Sequence, residues 1–342
     1  MRLLFVDGST KLETVRDLET KPRGGMVSSL FQVTDYLASQ GHEVSVLSDI
    51  QTHGQTKAGV SWIDEPTGRY DVLVANRGVG DGFSRINAKV RILWTHDLPH
   101  SGFIPEPATA HAFSCVVFMS SYAEEIWRAF YKTLGKSVII PNGVDKALFR
   151  PQSKDPNYLI YASAPNRGLD KLPLIVDSIK TRVRRPIYCK AFSRLSTLHP
   201  NEGTDTFDYK KIEDSDIDLR DPIRQEVFAE EIGKAGLMLL PSGYPEICSN
   251  VVLQGLACGT PIITTGNLGA TPEWVSHGYN GSLTKYQPHD YMIHTVEMVR
   301  NAVEVLEDDE FHASLVRGAL KTKVLTWEEV GKKWEKLLNR YC

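Results

Sequence analysis

Cysteine is scarce in this sequence and widely scattered. The 342 residues include five cysteines, at positions 115, 189, 248, 258 and 342, and none forms a close pair with another. Disulfide-stabilised secreted domains and structural zinc sites both need clustered or regularly spaced cysteines. The pattern therefore indicates neither, and it favours a protein of the reducing cytoplasm.

Long hydrophobic runs are missing as well. No segment approaches the roughly 20 consecutive apolar residues that a membrane-spanning helix needs. The opening stretch, MRLLFVDGST, reaches polar residues within a few positions, whereas a secretory signal peptide has a longer apolar run and a small-residue cleavage site. We expect a cytoplasmic protein, and peripheral contact with a membrane stays open.

An excess of charge of one sign is also absent. Lys and Arg together number 39 and Asp and Glu together 42, which gives a formal net charge of -3. This balance provides no general electrostatic basis for binding nucleic acid. The segment LFVDGSTKLET lacks the Gly-x-Gly-x-x-Gly turn that follows the first strand of dinucleotide-binding domains, which disfavours a dehydrogenase.

The sequence does contain a regular alternation of strand-like and helix-like segments. Short apolar runs such as RLLFVD, YDVLVAN and AGLMLLPS are separated by stretches whose apolar residues recur every three or four positions. This alternation predicts an α/β protein with doubly wound parallel sheets that helices cover on both faces. The length of the chain is sufficient for two domains.

A polar, turn-rich stretch, PNGVDKALFRPQSKDPN, marks the predicted boundary between the domains. We expect a first domain over 1–150, a second over 151–325, and a C-terminal helix over 326–342 that joins the first domain. A long loop over 193–215 interrupts the second domain, and loops of this length are often functional or disordered.

The segment PSGYPEICSNVVLQGLACG predicts a helix that begins just beyond the end of a buried strand. Ser249 or Asn250 is its natural N-cap. Such a helix directs free N–H groups and its positive dipole end toward anions, phosphate above all. Glu246 comes just before this N-terminus, and Gln254 lies about one turn inside the helix. An ordinary capped core helix has the same pattern, so the helix alone leaves both interpretations open.

Several segments, taken together, resemble a known family. The run PSGYPEICSNVVLQGLACGTPII, with GATPEW after it, is similar to the donor-binding signature of the retaining glycosyltransferases of family four, which have the GT-B fold. The segments PRGGMVSSLFQVTDYLASQGHEVSVLSD, SVIIPNGVDKALFRP and YASAPNRGLDKL resemble further parts of that family in the same order. The resemblance implies two Rossmann-like domains that face a central cleft, and transfer of a sugar from a nucleotide-diphosphate donor.

The resemblance also implies a set of donor-binding residues. Arg167 occupies the family's basic position for the diphosphate, and a guanidinium can bridge two phosphate oxygens. Glu246 matches a carboxylate that contacts sugar hydroxyls. Gln254 departs from the family glutamate that holds the nucleotide ribose, which predicts weaker or differently tuned binding. The wider donor-binding set comprises Arg167, Lys190, Glu246, Ile247, Cys248, Ser249, Asn250 and Gln254.

The remaining implied positions belong to the first domain. His96 matches a histidine that positions the donor sugar, so the predicted catalytic residues are His96, Arg167 and Glu246. Gly24 and Gly25 resemble the loop at which the acceptor approaches. The family implies no metal and no cofactor, and a front-face mechanism with retention. A catalytically weak homologue that binds nucleotide sugars as a partner subunit is the alternative, because Gln254 replaces a carboxylate.

Overall fold

In the computed structural model, the chain divides into two compact units. One comprises Met1–Gly143 with Leu325–Cys342, and the other comprises Val144–Val324. The boundary between the two units therefore lies between Gly143 and Val144, somewhat before the expected boundary at residue 150. The structure describes residues 1–7, 14–21, 24–48, 54–77, 83–99, 113–131, 134–194, 207–286 and 288–341.

The first unit is built on one sheet whose strands are parallel except at one edge. The order across the sheet is β3-β4-β2-β1-β5-β6-β7-β8, and β3 alone runs antiparallel to its neighbour within the described sheet. Its strands are β1 Arg2–Asp7, β2 Glu43–Ser48, β3 Gly54–Gln55, β4 Ser61–Ile63, β5 Tyr70–Asn76, β6 Ala88–Trp94, β7 Cys115–Phe118 and β8 Ser137–Ile139.

The described helices of the first unit are α1 Val15–Thr20, α2 Gly25–Ser39, α3 Ser121–Phe130 and, numbered along the whole chain, α10 Trp327–Leu338. Of these helices, α1, α3 and α10 begin at side-chain caps, whereas α2 begins at Gly24 without one. Ser120 accepts a hydrogen bond from the N–H of Ala123 and begins α3. Thr326 and Glu329 form a reciprocal capping box that begins α10.

The C-terminal helix packs on the sheet of the first unit through an aromatic cluster. Trp334 is fully buried, and its ring lies 6.1 Å from that of Phe5 and 4.9 Å from that of Trp94. Because buried aromatic side chains remove large apolar areas from water, this cluster anchors α10 to β1 and β6. The first unit is thus completed by the last residues of the chain.

The second unit contains a six-stranded, wholly parallel sheet in the order β11-β10-β9-β12-β13-β14. Its strands are β9 Asp155–Ala162, β10 Tyr188–Phe192, β11 Ile217–Arg220, β12 Ala235–Leu240, β13 Ile262–Thr265 and β14 Gly281–Thr284. Its helices are α4 Leu172–Lys180, α5 Lys210–Glu213, α6 Gln225–Lys234, α7 Asn250–Ala257, α8 Tyr291–Glu307 and α9 Asp309–Lys321. The doubly wound parallel sheets are confirmed in both units.

Both sheets reverse their direction of winding beside the first strand of the unit. In the first sheet the chain proceeds from β1 toward β2 and β4 on one side, and toward β5 and beyond on the other. In the second sheet β9 and β12 are the two neighbours at the reversal. The carboxyl ends of the strands at such a point diverge and leave a crevice where ligands bind.

The predicted long loop is described only in part. Residues 195–206 lie outside the described residues, and the part that follows contains the short helix α5. None of the helices in the described ranges has the length and hydropathy required to cross a bilayer. Peripheral contact with a membrane stays open.

Candidate functional site

The sequence-predicted residues Arg167 and Glu246 meet Tyr244 at the winding reversal of the second sheet. Arg167 ends the short 3₁₀ turn Pro165–Arg167 that follows β9, and Tyr244 and Glu246 lie in the loop that follows β12. The Nε of Arg167 donates to the Oε1 of Glu246 at 2.6 Å. The structure therefore joins two sequence-predicted residues that lie far apart in the chain.

The guanidinium of Arg167 is held on more than one side. Its carbon lies 3.3 Å from the ring centroid of Tyr244, and its Nη1 donates to the side-chain oxygen of Asn166 at 3.1 Å. The side chains of Arg167 and Glu246 are only 18% and 25% exposed. Partial burial and stacking fix the orientation of the guanidinium, which preorganises it for an anion.

The loop after β9, which carries Arg167, and the loop after β12, which carries Glu246, approach each other so closely that position 168 needs glycine. Gly168 has a left-handed φ of 94°, and a Cβ there would lie 2.2 Å from the carbonyl oxygen of Pro241. A third loop closes on the same place, because the N–H of Ala270 donates to the carbonyl of Glu246 at 2.6 Å. Gly269, with a φ of 69°, passes directly against the backbone of Glu246. Backbone contacts thus fix where Arg167 and Glu246 stand.

The predicted helix begins beside this pair. Ser249 is the N-cap of α7, and its side chain makes no capping hydrogen bond. Ile247 and Cys248 are buried, which anchors the turn that leads into the helix. Asn250 is the first helical residue, and the first turn contains no acidic residue. An N-terminus of this kind favours an anion.

Gln254 contacts another amide rather than the Arg167–Glu246 pair. Its Nε2 donates to the Oε1 of Gln225, the first residue of α6, at 2.9 Å. This bond orients the amide of Gln254, because only its nitrogen can donate. A ligand would therefore meet an amide that is already fixed by a neighbour.

Lys190 forms an ion pair with Glu231 of α6. Its Nζ donates to both carboxylate oxygens of Glu231, at 3.1 and 2.9 Å, and lies 5.2 Å from the ring of Tyr158. The hydroxyl of Tyr158 donates to the same carboxylate at 2.6 Å. Burial is the main cause that raises the pKa of Tyr158 above its ordinary value, and the hydrogen bond to Glu231 is the second. The donor-binding role of Lys190 stays a prediction.

Two buried basic residues near the site were not expected from the sequence. Lys171 is 6% exposed and donates to the carbonyl of Pro288 at 3.1 Å, and burial lowers the pKa of its ammonium. His294 is fully buried, with Nε2 3.0 Å from the hydroxyl of Thr265, which in turn donates to the carbonyl of Ser242. Only the position of Lys171, four residues after Arg167, could have drawn attention to it.

The buried histidine predicts a loss of stability in acid. Burial, and then the charge of Lys171, lower the pKa of His294 from 6.5 to about 4. Since the unfolded chain takes up this proton at a higher pH than the folded chain, the stabilisation is complete above pH 6.5 and is lost as the pH falls toward 4. Between pH 7.5 and 5 we expect a loss of about 2 kcal/mol from this group. Urea denaturation at the two pH values measures it.

A histidine-to-glutamine pair provides the control for this experiment. His294→Gln should reduce the pH dependence by about that amount, whereas His289→Gln should leave it intact because the side chain of His289 is 78% exposed. An unchanged pH dependence in His294→Gln would show that another group is responsible.

The first unit contains the other predicted catalytic residue. His96 follows β6, and its ring lies 4.6 Å from that of Trp94. Burial, and then the charge of Arg77, lower the pKa of His96 to about 3, so its imidazole is neutral at pH 7. The Nε of Arg77 donates to Asp97 at 2.6 Å, so the adjacent carboxylate has its own partner.

The two predicted acceptor-side glycines lie at the start of α2. Gly24 is its N-cap, with a φ of -62°, and Gly25 is the first helical residue. The φ of Gly24 lies in the range open to other residues, so conformation alone does not require glycine there. A close approach of a ligand remains the predicted reason for both.

Comparisons with known proteins agree with this architecture. Residues 201–304 match the family described as glycosyl transferases group 1. Sucrose-phosphate synthase from Thermosynechococcus elongatus superposes with a TM-score of 0.76 at 15% identity, over 99% of this chain and 98% of the other. Anabaena HepE in complex with UDP-glucose superposes with a TM-score of 0.70 at 15% identity, over 99% of this chain and all of the other.

The chain has the GT-B fold. Its second unit carries the glycosyl transferases group 1 match. The D-inositol 3-phosphate glycosyltransferase of Pseudarthrobacter chlorophenolicus is 27% identical over 259 residues, which is 64% of this chain and 60% of that protein. Across the curated relatives that it matches, the chain spans between 19% and 60% of their lengths.

Proposed function

We propose that the protein is a retaining glycosyltransferase that binds a nucleotide-diphosphate sugar on its second unit. The pairing of Arg167 with Glu246 beside the N-terminus of α7 supports this proposal more than any other feature. The helix N-terminus and the guanidinium attract the diphosphate, and the carboxylate of Glu246 accepts hydrogen bonds from sugar hydroxyls.

The proposed chemistry needs no protein nucleophile. When the bond between the anomeric carbon and the diphosphate breaks, negative charge grows on the leaving phosphate and positive charge on the sugar ring. Arg167 and the N–H groups at the start of α7 stabilise the former. The acceptor hydroxyl attacks from the same face and gives its proton to the leaving phosphate. The catalytic role that the resemblance implies for His96, a neutral imidazole of the first unit, stays a prediction. The proposal includes no metal and no cofactor.

Two measurements test this function. A thermal-shift panel of UDP, GDP and ADP sugars should show a rise in melting temperature for at least one donor. Proton NMR of the product formed from that donor should show the anomeric configuration of the donor. No stabilisation by any donor would contradict the binding role, and an inverted anomeric centre would contradict the front-face mechanism.

A second candidate function is a nucleotide-sugar-binding homologue with little catalysis of its own, acting as a partner subunit. The amide at position 254, bonded to Gln225, favours this candidate because it lacks the charge of a carboxylate. Turnover of the donor by the unmodified protein would exclude it. Donor binding without turnover, also in the presence of varied acceptors, would favour it.

The change Gln254→Glu should strengthen nucleotide binding. A carboxylate accepts charge-assisted hydrogen bonds from ribose hydroxyls, so we expect affinity to rise by about 1 to 1.5 kcal/mol, or roughly 5- to 12-fold. Isothermal titration with UDP, GDP and ADP measures the change. Gln40→Glu, at the C-terminal end of α2, alters the net charge equally and should have no effect. Equal or weaker binding by Gln254→Glu would remove this residue from the ribose site.

A further inference from the structure

A hydrogen bond between two glutamine side chains joins the helices α6 and α7 beside the candidate site. Gln225 is the first residue of α6, and Gln254 lies about one turn inside α7. The Nε2 of Gln254 donates to the Oε1 of Gln225 at 2.9 Å, although the two residues are 29 positions apart in the chain. Both residues are half-buried, so part of the pair stays accessible to a ligand.

Gln254 lies on the same side of α7 as Asn250, the first residue of that helix. The two are four positions apart and both are half-buried, whereas Val252, Leu253 and Leu256 are buried on the other side. Four residues of an α-helix rise by about 6 Å. The amide of Gln254 therefore lies about one helical turn from the N–H groups that are proposed to bind the diphosphate. A ribose is attached directly to the diphosphate of a nucleotide, so its hydroxyl groups can reach this amide.

The single hydrogen bond leaves each amide with one group that a ligand can use. An amide oxygen accepts hydrogen bonds, and an amide nitrogen donates them. Because the nitrogen of Gln254 donates to the oxygen of Gln225, the groups left over are the oxygen of Gln254 and the nitrogen of Gln225. Neither of these atoms has a partner among the residues that the structure describes. The pair thus presents one acceptor and one donor next to each other.

An acceptor next to a donor fits two neighbouring hydroxyl groups. A hydroxyl both donates and accepts hydrogen bonds, so one hydroxyl of a diol can donate to Gln254 while the other accepts from Gln225. The ribose of a nucleotide carries such a diol at its 2′ and 3′ positions. A carboxylate at position 254 would offer two accepting oxygens, whereas the amide offers one. Gln225 supplies the second hydrogen bond that the amide of Gln254 cannot make.

We infer that Gln225 and Gln254 together form an uncharged binding site for the ribose diol, in which Gln225 orients the amide of Gln254 and donates one hydrogen bond itself. This inference rests on the proposed function, because it assigns the ribose of the donor to the pair. Gln225 is then a specificity-determining residue, since it favours nucleotides that carry both hydroxyl groups. Each of the two hydrogen bonds recognises a different hydroxyl.

Isothermal titration of the full-length protein with nucleotides tests the first consequence. UDP, GDP and ADP identify the nucleotide that binds most tightly, and its 2′-deoxy and 3′-deoxy forms are then compared with it. Because each deoxy form loses one hydrogen bond between neutral groups, we expect each to bind about fivefold more weakly than the ribonucleotide. Equal affinity for all three forms would overturn the inference.

Gln225→Glu separates the donated hydrogen bond from the orientation of Gln254. A glutamate at this position still accepts the hydrogen bond from Gln254, but its carboxylate has no hydrogen to donate. This variant should bind one deoxy form as well as the ribonucleotide and keep the preference against the other. Gln225→Ala also releases the amide of Gln254, so it should weaken both preferences. The added charge of the glutamate does not affect these ratios, because the compared nucleotides have the same charge.

Lys234→Gln is the matched control for these variants. It changes the net charge by the same amount as Gln225→Glu, at the exposed last residue of the same helix, and should keep both preferences. If Gln225 only joins α6 to α7, Gln225→Ala should lower the melting temperature and leave both affinity ratios as in the parent. That result would leave the proposed function intact and overturn the inference, whereas failure of the parent to bind any of the three nucleotides would contradict the proposed function as well.

Discussion

Arg167→Ala should reduce donor affinity by about 1.5 to 3 kcal/mol, which corresponds to roughly 10- to 150-fold. Two of the hydrogen bonds of this guanidinium go to Glu246 and Asn166, and its face lies on Tyr244. Since a guanidinium has five N–H groups, it can bind phosphate without releasing Glu246. Alanine removes the positive charge and leaves Glu246 beside the diphosphate without its partner, so repulsion adds to the loss.

Isothermal titration with UDP and the matching donor measures this loss. Arg167→Lys should recover only part of the affinity, because an ammonium retains the charge but lacks the planar fork that stacks on Tyr244. Arg185→Ala is the matched control, since it removes an arginine that pairs with Asp309 on the surface of the same unit. Donor affinity equal to that of the parent in Arg167→Ala would exclude the guanidinium from the site.

Local signals in the sequence predict most of the fold. The helix caps at Ser120 and Thr326 each depend on a residue three positions further along the chain. The strands β1, β5 and β12 each correspond to a short continuous run of mostly apolar residues. Short-range hydrogen bonding and periodicity determine them, so a single sequence is sufficient. Of the two possible caps of α7, the structure selects Ser249, at the one-residue precision that sequence patterns cannot reach.

The helix α8 illustrates why some elements are hard to predict. In the first turns of this helix His294 and Glu297 are buried, whereas Met292 and Val296 are each 62% exposed. Farther along, α8 buries Met298, Ala302 and Val305 as its apolar periodicity predicts, so the departure is confined to its first turns. Glu297 is buried because its carboxylate accepts hydrogen bonds from the backbone N–H groups of Lys285 and Tyr286. Such partners come from tertiary structure.

Contacts between distant residues limit what the sequence shows of the site. The pairs Arg167–Glu246, Lys190–Glu231 and Gln225–Gln254 each join residues from separate loops or elements. The resemblance placed Arg167 and Glu246 in one site, but it could not show that Gln254 binds Gln225. Ser48, Asp7 and Asn76 end β2, β1 and β5 in register with one another, and only the folded sheet defines that register.

Gly168→Ala should produce the largest loss of stability among the changes considered. The left-handed φ of 94° costs an alanine about 1 to 2 kcal/mol. The new Cβ would lie 2.2 Å from the carbonyl oxygen of Pro241, which is backbone and cannot rotate away. Overpacking of this kind costs a further 1 to 3 kcal/mol, roughly, so we expect a total of about 2 to 5 kcal/mol.

Gly278→Ala separates the two causes of this loss. Gly278 lies in the same unit with a φ of 75°, and a Cβ there would have no atom within 4 Å. It should therefore show the conformational cost alone, and the difference between the two variants measures the contact with Pro241. Urea denaturation gives both values. Because the loop of Arg167 must move away from the loop of Glu246 to admit the methyl group, Gly168→Ala should also weaken donor binding, whereas Gly278→Ala should not. Equal losses in the two variants would mean that the loops can separate without cost, and that backbone packing does not fix the distance between Arg167 and Glu246.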